Sequence, residues 1–366
     1  MSISDVTNSN GYIGNTEKHI SEDGVKNSAA WIVPAGAISL AMYASVGKLA
    51  ILDTDTATSQ AFFNMVFDDE ILRDFVYQSL VKANEFDEWN RIVSTGTQDN
   101  LNADKVKNFE IKMPISKKEM IDISAFFKKV NNLITLHQRE YDKTINLKKA
   151  MLEKMFPKNG EDRPEIRFKG FTDAWEQRKL SDLYVKCGSG GTPRSTNSSY
   201  YGGEIPFLSI SDVTNSNGYI GNTEKHISED GVKNSAAWIV PAGAISLAMY
   251  ASVGKLAILD TDTATSQAFF NMVFDDEILR DFVYQSLVKA NEFDEWNRIV
   301  STGTQDNLNA DKVKNFEIKM PISKKEMIDI SAFFKKVNNL ITLHQRELKK
   351  LQNMKKAMLE KMFAQG

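Results

Sequence analysis

The chain has 366 residues, with 42% hydrophobic and 25% charged side chains, which excludes a disordered polypeptide and leaves room for two domains with apolar cores. No apolar run reaches the roughly 18 residues of a membrane helix and the first residues are polar, so we expect a cytoplasmic protein without a membrane span or signal peptide. The net charge of −3 argues against a free-standing DNA binder, and the single cysteine, Cys187, excludes an intrachain disulfide.

An internal repeat organises the chain. Residues 2–140 recur without a difference as residues 209–347, each 207 positions later, and the motif KKAMLEKMF occurs at residues 148–156 and 355–363. The complete copy covers residues 157–363, whereas Met1 stands where the second copy has Leu208. A period of this length is typical of a duplicated domain pair and not of a solenoid. We therefore expect two pseudo-symmetric halves.

The first copy has no counterpart of residues 157–207. If that segment supplies strands to the complete domain, residues 1–52 expose unpaired strand edges and part of their core. We expect the first domain to fold defectively, or only with a partner chain that supplies the segment in trans, because such a loss exceeds the marginal stability of a domain.

Each unit begins with an α/β part. Segments rich in β-branched residues, apolar residues and glycine predict short strands at residues 204–210, 242–250 and 254–259. A long helix follows in each unit. Its apolar or seam positions, from Ile123 to Met155 and from Met327 to Met362, alternate in steps of three and four, which is the coiled-coil pattern. Each helix of about 40 residues is a rod of roughly 60 Å. The simplest partner of each helix is the other.

The polar seam positions His137 and His344 favour a role in helix register. Residues 157–164, with proline at both ends, predict a linker.

No pattern predicts catalysis or a bound metal. The loop at residues 188–193 resembles a phosphate loop but lacks the following Lys-Ser/Thr, and no cluster of three histidines or separable pair of carboxylates is visible. No two prolines are adjacent, which excludes the Pro-Pro motif of DNA amino-methyltransferases.

Several loops combine small, amide and basic side chains. Asn and Gln can pair with adenine, and Arg and Lys can pair with guanine. Each loop alone is also consistent with an ordinary solvent-facing turn. These loops are residues 192–203, 209–217, 249–255, 263–267 and 301–307.

A family resemblance rests on these motifs in combination. They are WEQRKL at residues 175–180, SGGTPRSTNSSYYGGEIPFLSISDV at 189–213, AISLAMYASVGKLAI at 244–258, STGTQ at 301–305 and the helix at 319–351. Together they resemble the target recognition domain and spacer helix of type I restriction-modification specificity subunits. The resemblance covers residues 167–363 and, through the repeat, residues 2–156.

The resemblance implies a mixed α/β (α+β) fold, in which two target recognition domains are held apart by two long antiparallel helices that form a coiled coil with pseudo-two-fold symmetry. The expected boundaries are a first recognition domain at 1–114, a first spacer helix at 115–156, a linker at 157–166, a second recognition domain at 167–321 and a second spacer helix at 322–363.

The resemblance also implies a non-catalytic subunit that reads a bipartite DNA site without a cofactor of its own. Its partners are double-stranded DNA, two methyltransferase subunits that bind S-adenosylmethionine, and restriction subunits that use ATP and Mg²⁺. Those subunits would enclose the DNA, which explains the low net charge.

We select as DNA-binding candidates the amide, aromatic and basic residues of the loops. In the second copy they are Arg194, Tyr250, Lys255, Gln267, Gln305 and Asn307, and in the first copy they are Tyr43, Lys48, Gln60, Gln98 and Asn100. Two alternatives remain open: a coiled-coil scaffold that joins two protein-binding domains, and an enzyme whose loop at residues 188–193 binds a phosphorylated cofactor.

Overall fold

A computed structural model describes residues 1–92, 101–158, 160–299 and 308–363. The chain divides into two compact units. Unit 1 consists of Met1–Glu140 and His344–Gly366, and unit 2 consists of Tyr141–Leu343. Each unit therefore contains one α/β domain, the first part of one long helix and the last part of the other.

Unit 1 contains a short-stranded α/β domain. Its elements in chain order are α1 (Ile3–Thr7), β1 (Tyr12–Ile13), α2 (Glu22–Lys26), β2 (Trp31–Val33), β3 (Ile38–Ala41), β4 (Leu49–Leu52), β5 (Thr56–Thr58), β6 (Phe62–Met65), α3 (Glu70–Glu85), a 3-10 turn (Glu88–Arg91), α4 (Ala103–Lys107) and the long helix α5 (Lys117–Lys154), which continues into unit 2.

Unit 2 repeats these elements and adds further strands and turns, some before them and some among them. In chain order they are β7 (Glu176–Lys179), a 3-10 turn (Leu180–Asp182), β8 (Lys186–Gly188), a 3-10 turn (Ser198–Tyr200), β9 (Tyr201–Phe207), α6 (Ile210–Asn215), β10 (Tyr219–Ile220), β11 (Lys225–Ile227), α7 (Glu229–Lys233), β12 (Trp238–Val240), β13 (Ile245–Ala248), β14 (Leu256–Leu259), β15 (Thr263–Thr265), β16 (Phe269–Val273), α8 (Glu277–Glu292), a 3-10 turn (Trp296–Arg298), α9 (Ala310–Lys314), β17 (Glu317–Met320) and the long helix α10 (Lys324–Met362), which continues into unit 1.

Among the described residues, the central sheet has four strands in unit 1, in the order β1-β4-β3-β6, and five in unit 2, in the order β10-β14-β13-β16-β8. β3 in unit 1 and β13 in unit 2 are each antiparallel to both of their neighbours. In unit 1, Ile38 and Leu40 pack with α3 on one face, and Ala37 and Ala41 pack on the other. Both faces are covered, so every residue of β3 and β4 is buried.

The remaining strands form smaller sheets. They are β2-β5 in unit 1 and β11-β9-β15-β12 and β17-β7 in unit 2. The strand that the sequence predicted at residues 204–210 instead lies at Tyr201–Phe207, because a helix begins after Ser209. The Ser209 hydroxyl accepts a hydrogen bond from the Asp212 backbone N, and the Asp212 carboxylate accepts one from the Ser209 backbone N. This capping box ends the strand.

The long helices pack antiparallel within each unit. In unit 1 the ring centroids of Phe127 and Phe363 lie 5.9 Å apart, and those of His137 and His344 lie 5.8 Å apart. A later residue of α5 thus contacts an earlier residue of α10, so the two helices run antiparallel. In unit 2 the Phe156 ring lies 6.1 Å from the Phe334 ring. The predicted fold class, with two domains and two long antiparallel helices, is confirmed.

Both histidines occupy seam positions, as the heptads predict. The Nδ1 atom of each ring is buried and has no hydrogen-bond partner among the described residues. A buried polar atom without a partner costs free energy, which is consistent with a polar position that selects helix register at the expense of stability.

A buried ion pair distinguishes two glutamates with identical local sequence. Arg167 donates through Nε to Oε1 of Glu326 at 2.7 Å and through Nη2 to Oε2 at 2.8 Å. The Glu326 side chain is only 1% exposed. Its repeat copy, Glu119, is exposed in the first turn of α5.

We expect Glu326→Ala to lower the free energy of unfolding by about 3 kcal/mol, because it removes a buried carboxylate and leaves the partly buried Arg167 guanidinium without its partner. Glu119→Ala, which removes the same helix N-terminal charge at an exposed position, should change it by less than about 0.5 kcal/mol. Chemical denaturation of the two variants tests this difference. Equal destabilisation by the two substitutions would show that the Arg167–Glu326 ion pair adds nothing to the stability beyond what the exposed Glu119 contributes.

Candidate nucleic-acid interface

A tight loop between β3 and β4 carries two of the candidate residues. Tyr43 is 46% exposed and Lys48 is exposed. The Gly47 backbone N donates to the Ala41 carbonyl at 3.0 Å, and the Lys48 backbone N donates to the Ser45 carbonyl at 3.1 Å. These bonds give the loop a defined shape, from which Tyr43 and Lys48 project into solvent.

Two residues of this loop have left-handed backbone angles, with φ of 53° at Ser45 and 85° at Gly47. A Cβ atom at Gly47 would lie 2.4 Å from the Trp89 side chain, so only glycine fits there. A serine in the left-handed region is uncommon and is often found at functional loops. The twin loop between β13 and β14 has the same angles at Ser252 and Gly254.

Two further segments are tied to the loop in unit 1. The Met42 backbone N donates to the Ala61 carbonyl at 2.9 Å, which brings Gln60 beside Tyr43. The Leu101 backbone N donates to the Met42 carbonyl at 2.9 Å. Gln98 and Asn100 precede Leu101 and lie outside the described residues.

The same arrangement recurs in unit 2. The Met249 backbone N donates to the Ala268 carbonyl and the Leu308 backbone N to the Met249 carbonyl, each at 2.9 Å. Tyr250, Lys255 and Gln267 are all exposed. Gln305 and Asn307 lie outside the described residues.

One segment is present only in unit 2. The Thr192 hydroxyl donates to Oε1 of Gln267 at 2.9 Å, and Arg194 is exposed two residues further on. The structure therefore joins the Arg194 segment to the Gln267 turn, a link that sequence spacing did not indicate.

A basic cavity of about 660 Å³ lies beside the loop in unit 1. Its wall includes Lys48, Asn84, Lys349, Lys355 and Lys356. Burial lowers the pKa of Lys355; Glu85 opposes this shift and Lys48 adds to it. Glu85 also lines the cavity and forms an ion pair with Lys356 at 3.6 Å, so four lysines share the wall with one carboxylate. This excess of positive charge is suited to contact with an anion such as phosphate.

The equivalent lysine of unit 2 has the same surroundings. Burial lowers the pKa of Lys148, with Glu292 opposing the shift and Lys255 adding to it. Lys148 and Lys355 were not among the predicted site residues. The available signal was a lysine in a seam position, where the heptad pattern favours an apolar residue.

The cavity wall contains the part of the repeat that differs. Residues 348–354 read LKKLQNM, whereas residues 141–147 read YDKTINL. Lys349 and Gln352 line the cavity of unit 1, and the corresponding positions of unit 2 are Asp142 and Ile145. The two units thus carry the same exposed loops but different charge beside them.

The glycine-rich loop at residues 188–193 has a packing role. A Cβ at Gly190 would lie 1.8 Å from the Thr265 carbonyl oxygen, and a Cβ at Gly191 would lie 2.6 Å from the Ala236 side chain. These glycines allow the loop to approach neighbouring backbone closely. In the described part of the chain, no group of three or more His, Cys, Asp or Glu side chains could hold a metal ion.

Among the described helices, none combines the length and apolar character needed to cross a membrane. The fold defines a class of protein: paired α/β domains joined by long antiparallel helices.

The family model of the type I restriction modification DNA specificity domain matches residues 2–146 and again residues 172–353. The matches cover most of the chain, and the protein therefore belongs to this family. Family membership makes the chain a specificity component and not a catalytic one.

Two relatives have similar sequences. The chain is 32% identical over 181 residues to the type I restriction enzyme MjaIX specificity subunit of Methanocaldococcus jannaschii, an alignment that covers 49% of this chain and 40% of that protein. It is 33% identical over 165 residues to the HindI specificity subunit of Haemophilus influenzae, covering 44% of this chain and 34% of that protein. The similarity thus spans less than half the length of either relative.

Two solved structures share the fold. The S subunit of a type I restriction-modification system from M. genitalium aligns with a TM-score of 0.59 at 14% identity, covering 97% of this chain and 89% of that one. A chain from a study of complex assembly and conformational transition in a type I R-M system aligns with a TM-score of 0.54 at 16% identity, covering 92% and 84%.

Proposed function

We propose that this chain is the DNA-recognition subunit of a type I restriction-modification complex and reads a bipartite site, one half with each domain. The observation that carries the proposal is the duplicated set of exposed loops on two domains of a DNA specificity family. Each set combines an aromatic, a basic and an amide side chain, such as Tyr43, Lys48 and Gln60, which suits base edges in the major groove.

The proposed base-contacting residues are those selected from the loops. Tyr43, Lys48 and Gln60 in unit 1 and Tyr250, Lys255 and Gln267 in unit 2 lie on loops tied together by backbone hydrogen bonds. Arg194 is added in unit 2 through the Thr192 contact to Gln267. Gln98, Asn100, Gln305 and Asn307 belong to the proposal on sequence grounds.

We further propose that the chain positions two methyltransferase subunits and the restriction subunits around the DNA. A net charge of −3 is low for a protein that neutralises many phosphates by itself, which supports partners that share this task. S-adenosylmethionine then belongs to the methyltransferase subunits, and ATP and Mg²⁺ belong to the restriction subunits.

The recognised site should be an interrupted palindrome. The reading loops that the two domains share present the same side chains to opposite strands when a two-fold axis relates them, so the bases that these loops read should be the same in both half-sites, in inverted orientation. The Arg194 segment of unit 2 is not among the shared loops. Methylome sequencing of cells that express the chain with its methyltransferase partner tests this. Two unrelated half-sequences would contradict it, and methylation without any dependence on this chain would contradict the proposed function.

A further inference from the structure

The basic cavity of unit 1 contains a buried phenol. Tyr77 lines the cavity and is only 4% exposed. Its hydroxyl lies beside Gly11, another residue of the wall, because a Cβ atom at Gly11 would clash with the hydroxyl oxygen. This hydroxyl forms no hydrogen bond with any described residue. Burial raises the pKa of Tyr77, so the phenol stays protonated and can donate to a ligand in the cavity.

A half-buried cation lies in the same wall. Lys355 forms no ion pair within the described part of the chain, since Glu85, the carboxylate that lines the cavity, pairs with Lys356. Burial lowers the pKa of Lys355, and Lys48 lowers it further although Glu85 opposes the shift. The Lys355 ammonium therefore has no carboxylate of its own, and an anion in the cavity would supply the missing negative charge.

Neutral donors complete the wall. Asn10, Asn131 and Asn353 line the cavity, and each side-chain amide carries two N–H donors. Ammonium, phenol and amide groups all donate hydrogen bonds to phosphate oxygens, and hydrogen bonds to a charged acceptor are the stronger ones. A volume of about 660 Å³ is large enough for a phosphate together with its attached sugar.

The cavity adjoins the loop that carries the proposed reading residues. Lys48 belongs both to the loop between β3 and β4 and to the cavity wall, and Leu49, the first residue of β4, also lines the cavity. Contacts to DNA phosphates fix the position of a protein on the duplex, while nearby side chains read the bases. A backbone phosphate in the cavity would therefore hold the DNA where the loop of Tyr43 reads it.

Unit 2 has the same phenol and two of the same lysines, at Tyr284, Lys255 and Lys148. At the position of Lys349, however, unit 2 has Asp142, which exchanges a positive charge for a negative one. A carboxylate repels a phosphate, so the surface of unit 2 is less suited to an anion.

A hydrogen bond also differs between the units. In unit 2, Nδ2 of Asn217 donates to the Thr342 hydroxyl at 3.4 Å. Its copy Asn10 forms no hydrogen bond with a described residue, and both Asn10 and Thr135, the copy of Thr342, line the cavity of unit 1. The Asn10 amide is thus available to a ligand, whereas the Asn217 amide is engaged.

We propose that the cavity of unit 1 binds a phosphodiester of the DNA backbone through Lys349, Lys355 and Tyr77. Unit 2 binds a phosphate less strongly, because Asp142 stands in place of Lys349. The inference rests on the proposed function, since it takes DNA as the ligand. It adds that domains with the same reading loops hold their half-sites with unequal strength. Residues 348–354 and 141–147 set this strength and not the sequence that is recognised.

The test exchanges residues between the units in the full chain, assembled with the methyltransferase subunits. Lys349→Asp gives unit 1 the residue of unit 2. It should weaken binding to cognate and random DNA alike by about tenfold, and make the slope of log affinity against log salt less steep by roughly one. Asp142→Lys is the reverse exchange and should strengthen both, with a slope steeper by roughly one. Lys350→Asp is the matched control, because Lys350 is exposed and does not line the cavity, and its affinity should stay within about twofold.

Tyr77→Phe tests the neutral donor, because it removes only the hydroxyl. DNA affinity should fall about threefold to tenfold with an unchanged salt slope, since a phenol releases no counterion. The free energy of unfolding should not fall, because the hydroxyl has no hydrogen-bond partner among the described residues. Tyr284→Phe is the matched variant of unit 2 and should reduce DNA affinity less.

Unchanged DNA affinity and salt slope in Lys349→Asp, or an equal effect of Lys350→Asp, would overturn the inference. Equilibrium dialysis of the chain with inorganic phosphate, in the absence of DNA, addresses a free anion as the ligand. Saturable phosphate binding that Lys349→Asp removes without any change in DNA affinity would also overturn it. If the unchanged complex does not distinguish cognate from random DNA, the proposed function itself is contradicted, so the two failures are distinguishable.

Discussion

We expect a double insertion to lengthen the DNA spacer, the stretch between the two half-sites, by about three base pairs. The insertion places seven residues after Glu140 in α5 and seven after Glu347 in α10. Seven residues are one heptad, so both apolar stripes stay in register. They add roughly 10 Å to each helix at 1.5 Å per residue, and B-form DNA rises 3.4 Å per base pair. The two half-sites should stay the same, because the reading loops are unchanged. Methylome sequencing measures the spacer directly.

A matched control separates helix length from general disturbance. The same heptad inserted in α5 alone leaves α10 shorter than its partner, so the seam side chains can no longer match along their whole length. This variant should lose methylation activity or stability without defining a new spacer. A folded double-insertion variant that methylates the original site would show that the helices do not set the distance between half-sites.

Lys48→Ala combined with Lys255→Ala should weaken specific DNA binding by about 2 to 6 kcal/mol, or roughly thirtyfold to twenty-thousandfold in affinity. Each lysine is exposed on a loop held by backbone hydrogen bonds, so its removal should leave the fold intact. Each lost base contact costs on the order of 1 to 3 kcal/mol. The measurement is DNA affinity in complex with the methyltransferase subunits at several salt concentrations.

The salt series identifies which contact is lost. If the lysines reach bases, cognate binding falls more than binding to random DNA, whereas a phosphate contact weakens all sequences evenly and reduces the salt slope. Lys26→Ala with Lys233→Ala removes the same charge from α2 and α7 and serves as the control. An equal loss of DNA affinity in the two double variants would contradict a specific role for the loops that carry Lys48 and Lys255.

Local sequence predicted the large-scale organisation well. The repeat indicated two units, and the alternation of three and four from Ile123 to Met155 predicted the long helices, because helical periodicity depends on residues close together in the chain. The motifs around Arg194 and Tyr250 indicated the family. The end of β9 was missed because the capping box at Ser209 and Asp212 was not recognised as a helix start.

The lysine pairs could not be predicted in the same way. Lys148 and Lys355 appear in the sequence only as seam positions of the helices. Their low pKa values arise from burial, and Lys255 and Lys48, more than a hundred residues away in the chain, add to the shift. Proximity of this kind depends on how a helix packs on a domain, and no local pattern encodes it.

The sequence by itself determined the duplication, the helices, the family and the chemistry available on the loops. Only the tertiary structure decided which identical residues are buried and which are open, as Ile20 and Ile227 demonstrate. The physical reason is that burial belongs to a residue's neighbours in space. Ile227 is covered because β9 pairs beside it, whereas the same isoleucine at position 20 faces an open groove.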